Sequence, residues 1–257
     1  MADSPNHSIR TIAIDGPAGA GKSTIGLGLA RHLGFLYFDT GVMYRAVTLA
    51  ALQRGIATDD EDAVSQLAEA VHIEVLPPHK DDGRQYTVRL DGEDVTWAIR
   101  RADVDAAVSV VSAFPRVRQA MVAQQRRVAS NGNVVMVGRD IGTVVMPDAD
   151  LKIYLDATVE ARAQRRHREL EQRGTPSSYA DVLASMKKRD ELDTSRAASP
   201  LRPADDAFIV DCTDMDADET LAHVIALVEA QKAARAGMPG HTTLVARSSL
   251  VHPPSDR

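Results

Sequence analysis

The run GPAGAGKS at residues 16–23 is the feature that most constrains the fold of this chain. It fits the pattern G-x-x-x-x-G-K-[ST]. The apolar run TIAID (residues 11–15) precedes it and predicts a buried strand, while a helical pattern follows from about Lys22 to Leu33 and ends at Gly34. In a strand–loop–helix unit of this kind, backbone N–H groups and the helix N-terminus converge on an anion. The sequence therefore predicts a phosphate-binding loop.

This loop predicts a nucleoside-triphosphate site, with a simple glycine turn as the alternative. Lys22 would reach the β- and γ-phosphates, and the Ser23 hydroxyl would ligate Mg²⁺. The residues predicted to bind the nucleotide are Gly16, Pro17, Ala18, Gly19, Ala20, Gly21, Lys22, Ser23 and Thr24. The chain lacks the Asn/Thr-Lys-x-Asp motif with which a GTPase reads guanine, and an ATPase motor is usually longer. A small kinase with a second anion site and a cationic lid fits better.

The order of the remaining patterns predicts a three-layer α/β fold with a parallel sheet. FLYF (35–38) and the helical residues 42–54 repeat the strand–helix order. Residues 72–96 differ, because three short strand-like runs and Asp91-Gly92 predict a small antiparallel insert. Further strands are predicted at 134–137, 151–156 and 207–211, and further helices at 104–129, 158–172, 179–196 and 216–235.

Length and composition limit the domain count and the class of protein. The 257 residues predict one domain over 11–235, a disordered leader over 1–10 and a disordered tail over 236–257. Cys212 is the single cysteine, which excludes an intrachain disulfide. No run approaches 18 apolar residues, and the first ten residues have no signal-peptide pattern. We therefore expect a cytoplasmic protein without a membrane partner.

The charge of the chain argues against a nucleic-acid partner. The net charge is −6, yet eight arginines fall between Arg162 and Arg202. A cationic segment inside an acidic protein indicates local anion handling, and a solvated helical face is the alternative.

Five strings of this sequence resemble the bacterial cytidylate kinases, a family of P-loop nucleoside monophosphate kinases. They are IDGPAGAGKST (14–24), FDTGVMYRAVTLAAL (38–52), GRDIGTVVMPDADLKIYLDA (138–157), KRDELDTSR (188–196) and SPLRPADDA (199–207). The resemblance runs from about Ile12 to Val228. It implies that the γ-phosphoryl group of ATP is transferred to CMP or dCMP with Mg²⁺, by a monomer with a P-loop NTPase fold. It also implies a monophosphate-binding part over about 40–125, which contains the 72–96 insert, and a helical lid over about 158–196.

The resemblance assigns roles to individual residues. Lys22 and the lid residues Arg162 and Arg165 would stabilise the transferring group, with Arg166 beside them. The residues expected to bind the acceptor nucleotide are Thr40, Arg45, Ser109, Arg118, Arg139, Asp140, Arg189, Asp193 and Arg196. Arg45 would clamp the acceptor phosphate, Arg118 and Asp140 would read the cytosine edge, and Asp193 would accept from ribose hydroxyls.

Ordinary structural roles remain open for the same residues. Asp39 and Thr40 would also cap a helix, and Arg45 would also pair with a surface neighbour. Arg139 and Asp140 would also form a structural ion pair with each other. The spacing of Arg189, Asp193 and Arg196 also suits an ordinary helical charge ladder.

One position departs from the family pattern. Many family members carry Asp or Glu before Gly-Arg-Asp, where this chain has Val137, so Asp39 becomes the candidate metal carboxylate together with Ser23. Two other functions remain open, which are a kinase for another small acceptor (UMP, AMP or shikimate) and an ATP-binding module without turnover.

Overall fold

The computed structural model describes residues 8–76, 78–172, 174 and 177–236. Most of the predicted leader and tail lies outside these residues. Ile9 and Arg10 are described, and both contact the rest of the chain. Ile9 is buried, and the backbone N–H of Arg10 donates to the Asp150 carboxylate over 2.9 Å.

The chain forms eight strands and eight α-helices in the described residues. The strands are β1 (Thr11–Asp15), β2 (Leu36–Asp39), β3 (Ile73–Leu76), β4 (Thr87–Leu90), β5 (Glu93–Asp94), β6 (Val134–Val137), β7 (Leu151–Asp156) and β8 (Phe208–Asp211). The helices are α1 (Lys22–Leu33), α2 (Gly41–Gln53), α3 (Glu61–Ala70), α4 (Ala102–Val111), α5 (Pro115–Ala129), α6 (Val159–Gln172), α7 (Tyr179–Ser195) and α8 (Ala217–Ala236). A 3₁₀ turn covers Ala98–Arg100, and a π-helical turn covers Ile141–Val145.

A parallel five-stranded sheet in the order β2-β6-β1-β7-β8 forms the centre, which confirms the predicted α/β class. Its inner strands are apolar and buried on both faces, as parallel strands covered by helices require. The carboxyl ends of the strands meet at one edge, where open α/β sheets bind ligands. Asp39 at the end of β2 lies in register with Val137 at the end of β6.

The predicted antiparallel insert is confirmed as a second sheet, in the order β3-β4-β5. The turn at Asp91 and Gly92 joins β4 to β5, and both residues have positive φ values of 50° and 86°. This agrees with the hairpin that the Asp-Gly pair predicted.

Two helical predictions need correction. The single helix expected over 104–129 is wrong, because α4 ends at Val111 and α5 begins at Pro115. Proline disfavours helical geometry in the residue before it and has no N–H to donate, so it suits the first position of a new helix. Helix α3 was not predicted. Asp60 caps it by accepting from the N–H of Ala63 over 3.0 Å.

Helices α6 and α7 form a hairpin with a small core of its own. Ala163, Val182 and Met186 are buried between the two helices, and Ala18 of the glycine-rich loop packs against them. The arginine-rich segment therefore lies directly on the phosphate loop. In the described part of the chain, no helix is both long and apolar enough to cross a membrane.

Candidate functional site

The glycine-rich loop follows β1 and wraps the start of α1. Three glycines of the loop have positive φ values that residues with a Cβ rarely adopt. They are Gly16 (148°), Gly19 (77°) and Gly21 (90°). A Cβ on Gly16 would lie 2.0 Å from the carbonyl oxygen of Leu155, so the close approach of β7 also requires glycine there. The loop turns tightly enough for its backbone N–H groups to face one anion at the start of α1.

Lys22 is folded back onto this loop. Its Nζ donates to the carbonyl oxygen of Pro17 over 2.6 Å, and the side chain is buried. Burial lowers the pKa of the Lys22 ammonium, and the nearby Arg139 guanidinium lowers it further. Asp39 and Asp193 oppose that shift. An anion bound at the loop would offset the free-energy cost of burying this cation.

Ser23 and Asp39 lie together where β2 ends beside the loop. The Ser23 hydroxyl donates to Asp39 Oδ2 over 3.1 Å, and Asp39 Oδ1 accepts from the N–H of Gly41 over 3.0 Å. Asp39 thus serves the N-terminus of α2, as the capping alternative predicted. A hydroxyl and a carboxylate are hard oxygen donors of the kind that Mg²⁺ takes beside a nucleotide.

Few other oxygen ligands for a metal lie beside Ser23 and Asp39. Val137 is buried across from Asp39 and offers no oxygen from its side chain. No group of three or more His, Cys, Asp or Glu side chains in the described ranges could enclose a metal ion. The arrangement fits a metal that keeps most of its ligands from water and phosphate.

Thr40 supports the strand ends rather than the helix start. Its hydroxyl donates to the carbonyl oxygen of Val137 over 3.0 Å and makes no capping hydrogen bond. The capping alternative for Thr40 is therefore wrong. A Cβ on Gly138 would lie 2.6 Å from the Thr40 hydroxyl, so glycine at 138 makes room for this contact.

Arg118 and Asp140 form a buried ion pair between α5 and the segment after β6. Arg118 also donates to the carbonyl oxygen of Ser112 over 2.9 Å, and its guanidinium lies 5.1 Å from the ring centre of Tyr44. Its Nε is buried and finds no partner among the described residues. Ser109 lies half-buried on the neighbouring α4. Arg118 and Asp140 thus offer both donors and an acceptor at fixed positions.

Arg139 and Asp140 pair with different partners, so the expected alternative of a mutual ion pair is wrong. Arg139 Nε donates to Asp193 Oδ2 over 2.9 Å, and Arg196 Nη1 lies 3.6 Å from Asp193 Oδ1. Burial acts to raise the pKa of Asp193, but these guanidinium groups hold it below its ordinary value. Arg196 follows the last residue of α7 and donates to the carbonyl oxygen of Ser199 over 2.6 Å.

Arg189 adds a further positive charge to the same place. Burial lowers its pKa to about 10, and the charges of Arg139 and Arg45 act in the same direction. Its Nε is buried without a partner among the described residues. The charge ladder is observed between Asp193 and Arg196. It does not account for Arg189, whose Nε finds no partner among the described residues.

Arg45 on α2 is held by two oxygen acceptors from other elements. Its Nη1 donates to the carbonyl oxygen of Ile99 over 3.1 Å, and its Nη2 donates to Asp105 Oδ1 over 2.6 Å. The alternative of a pair with a neighbour is thus observed, and the guanidinium keeps further N–H groups for a ligand.

The two lid arginines named as catalytic lie in different surroundings. Arg162 donates to the Ala18 carbonyl oxygen of the phosphate loop over 3.0 Å and forms a two-point pair with Asp190, at 3.1 and 2.6 Å. Arg165 instead donates to the carbonyl oxygens of Cys212, Thr213 and Met215, between β8 and α8. The structure therefore joins Arg162 to the loop and does not join Arg165 to it.

Asp15 was not predicted as a site residue. Its two carboxylate oxygens accept from the N–H groups of Ile141 and Gly142, each over 2.7 Å. Burial raises the pKa of Asp15 to about 6, against the lowering effect of these two hydrogen bonds. An acidic residue that closes a buried strand was the signal in the sequence. Asp15 fixes the π-helical turn that follows Arg139 and Asp140.

Comparison with known proteins identifies the family. The sequence model of the family described as "Cytidylate kinase" matches residues 12–230. A cytidylate kinase of Chloroflexus aggregans is 55% identical over 201 residues, which cover 78% of this chain and 86% of that protein. One of Herpetosiphon aurantiacus is 50% identical (86% and 96% covered), and one of Mycobacterium avium is also 50% identical (84% and 94% covered). The chain therefore belongs to the cytidylate kinase family.

Proposed function

We propose that this chain transfers the γ-phosphoryl group of ATP to CMP or dCMP and releases ADP with CDP or dCDP. The observation that carries the proposal is the charge environment of Lys22. The charges that act on its ammonium belong to Asp39, Arg139, Arg189 and Asp193. Two hydrogen bonds agree with this proximity, because Ser23 of the loop donates to Asp39 and the next residue, Thr40, donates to Val137 at the strand end that leads to Arg139. These observations support a cleft shared by the two nucleotides, as direct transfer between them requires.

The pair of Arg118 and Asp140 is proposed to read the base. Cytosine presents an amino donor beside two acceptors, and this pair presents guanidinium donors beside a carboxylate acceptor. Both side chains are about 4% exposed, and the buried Arg118 Nε has no partner among the described residues, so a donor is left for the base. Ser109 on α4 would contribute a hydroxyl to the same pocket. Uracil has a carbonyl where cytosine has the amino group, and it would face the Asp140 carboxylate with a second acceptor.

The sugar and the acceptor phosphate are assigned to the arginine cluster. Asp193 would accept from ribose hydroxyls, since its carboxylate is ionised and buried among guanidinium groups. The residues proposed to donate to the phosphate or the sugar are Arg45, Arg139, Arg189 and Arg196. Thr40 would line the floor of the cleft at the ends of β2 and β6.

The donor phosphates are assigned to the loop from Gly16 to Thr24. Lys22 would leave the Pro17 carbonyl oxygen for the β- and γ-phosphates. Ser23 and Asp39 would hold Mg²⁺, and their two oxygens are 3.1 Å apart. When bound, the metal supplies positive charge against the phosphate oxygens.

Phosphoryl transfer then needs no nucleophile from the protein. Its transition state spreads negative charge over the transferring group, so catalysis rests on positioning and on charge stabilisation. Lys22 and Arg162 would supply that charge, because both contact the loop backbone. Arg165 would join them after the lid closes and releases its carbonyl partners. Closure would also exclude water and so limit hydrolysis of ATP without an acceptor.

The proposal is tested by ADP release from Mg·ATP with CMP, dCMP, UMP, AMP and GMP offered separately. We expect strong acceptor dependence and a preference for CMP and dCMP. Turnover with a different acceptor would contradict the base pocket but keep the donor site. Binding of ATP without turnover on any acceptor would contradict the kinase function.

We also propose that the protein acts as a cytoplasmic monomer. The monomer rests on the family resemblance. The cytoplasm rests on the sequence, in which the first ten residues have no signal-peptide pattern and the single cysteine agrees with a reducing compartment. Light scattering of the purified chain with and without nucleotides would test the monomer. A stable dimer in both conditions would contradict it.

A further inference from the structure

Asp105 connects two arginines that come from different parts of the molecule. It lies on α4, and its Oδ1 accepts from Nη2 of Arg45 on α2 over 2.6 Å. Its Oδ2 lies 3.8 Å from Nη2 of Arg166 on α6 of the lid. One carboxylate thus faces the monophosphate-binding part with one oxygen and the lid with the other.

The contact with Asp105 fixes Arg45 without using up its donors. A guanidinium carries five N–H groups, and Arg45 donates from Nη1 to Ile99 and from Nη2 to Asp105. The pair is a single-point contact rather than a two-point fork. About a fifth of the Arg45 side chain (22%) remains exposed. The remaining N–H groups are therefore held in a set orientation and are available to an oxyanion.

Asp105 also offsets repulsion between cations. The charges that act on the half-buried Arg189 include those of Arg139 and Arg45, which disfavour its protonated form. Asp193 acts on Arg189 in the opposite direction, and Asp105 adds a smaller effect of the same sign. Before a phosphate dianion arrives, a carboxylate at this place allows several guanidinium groups to stay close together.

We propose that Asp105 is a positioning residue for the acceptor phosphate, which holds Arg45 in its binding orientation and offsets the repulsion among Arg45, Arg166 and Arg189. The inference rests on the proposed function, in which Arg45 binds that phosphate. Asp105 does not touch the substrate in this account. It acts through the guanidinium groups.

The test compares CMP with cytidine, which lacks the phosphate. Calorimetry without ATP gives the Kd of each ligand for the wild type and for Asp105→Ala and Asp105→Asn. We expect Asp105→Ala to weaken CMP binding about tenfold and cytidine binding by less than about twofold. Asp105→Asn should fall between the wild type and Asp105→Ala, because its amide oxygen still accepts from Arg45 but carries no charge. In kinetic assays the KM for CMP should rise while the KM for ATP stays within about twofold.

Asp103→Asn is the matched control. Asp103 lies on the same helix and pairs with Arg101 at 2.5 Å. It is 41% exposed, and Arg101 is not among the residues proposed to bind the acceptor nucleotide. This variant should bind CMP as the wild type does.

Two results in the variants would overturn the proposal. Tighter CMP binding by Asp105→Ala would mean that the carboxylate competes with the phosphate. An equal loss for CMP and cytidine would mean that Asp105 only supports the fold. A wild type that does not prefer CMP to cytidine would overturn the proposed function together with this inference, and that result is visible before any variant is made.

Discussion

Arg118 and Asp140 form an ion pair in which each side chain is about 4% exposed. The two residues are 22 positions apart in sequence, and the pair links α5 to the segment that follows β6. A buried pair of this kind contributes little net stability, but removal of one partner leaves an uncompensated buried charge. The pair therefore combines a proposed role in base recognition with a structural one.

We expect Arg118→Met to lower the free energy of unfolding by about 3–5 kcal/mol, because Asp140 then stays buried without its cation. Arg116→Met is the matched control. Arg116 lies on the same helix and pairs with Glu69, but both are more than 40% exposed, so its loss should cost about 1 kcal/mol or less. Urea unfolding of both variants measures the difference. Equal stability of the two variants would contradict the buried pair.

Lys22→Ala should abolish most turnover while the fold remains intact. Loss of one preorganised hydrogen-bond donor typically costs a factor of about 10²–10³ in kcat, and Lys22 is the residue proposed to face the transferring group. Lys187→Ala, on an exposed lid lysine (58%), serves as the control and should keep wild-type kcat. Steady-state kinetics with CMP and circular dichroism of both variants test this. Retained turnover in Lys22→Ala would exclude the loop as the donor site.

Local patterns were sufficient to predict much of the fold. The phosphate loop, the parallel sheet and the antiparallel insert each leave a short-range signal, such as glycine spacing, apolar runs or an Asp-Gly turn. Pro115 and Asp60 are signals of the same kind. Pro115 marks the start of α5 within the predicted helix over 104–129, and Asp60 caps α3, for which no helix is predicted. These errors come from reading apolar periodicity without the residues that stop and start helices.

The partners of the charged residues could not be predicted in the same way. Arg139 and Asp140 are neighbours in sequence, yet Arg139 pairs with Asp193 and Asp140 with Arg118. Successive residues after a strand point in different directions, and each partner is supplied by a distant element. Asp105 belongs to no motif, so its place between Arg45 and Arg166 emerges only from the packing of α2, α4 and α6.

Asp39→Asn should raise the Mg²⁺ concentration that gives half-maximal activity by about tenfold or more. The amide keeps one oxygen but loses the charge, and the buried Val137 in register with it offers no replacement. Asp59→Asn, on an exposed aspartate, is the control and should leave the Mg²⁺ dependence unchanged. Titration of Mg²⁺ at fixed ATP, with nucleotide binding measured separately, distinguishes metal loss from misfolding. An unchanged Mg²⁺ dependence in Asp39→Asn would contradict the metal role.

Asp15 should make the protein less stable as the pH rises from about 4 to about 6. Its pKa is about 6 in the fold because of burial, against 3.8 as the ordinary value, so the folded state binds the proton more tightly than the unfolded state. Its contribution is therefore most favourable below pH 4, is lost as the pH passes through 6, and amounts to about 2–3 kcal/mol. Asp15→Asn cannot ionise and should lose this slope, whereas Asp148→Asn, on an exposed residue, should keep it. Urea unfolding between pH 4 and pH 7 measures how the free energy of unfolding of each of the three proteins changes with pH. Equal pH dependence in the wild type and Asp15→Asn would contradict the prediction, because Asp15 would then ionise in the fold as freely as in the unfolded chain.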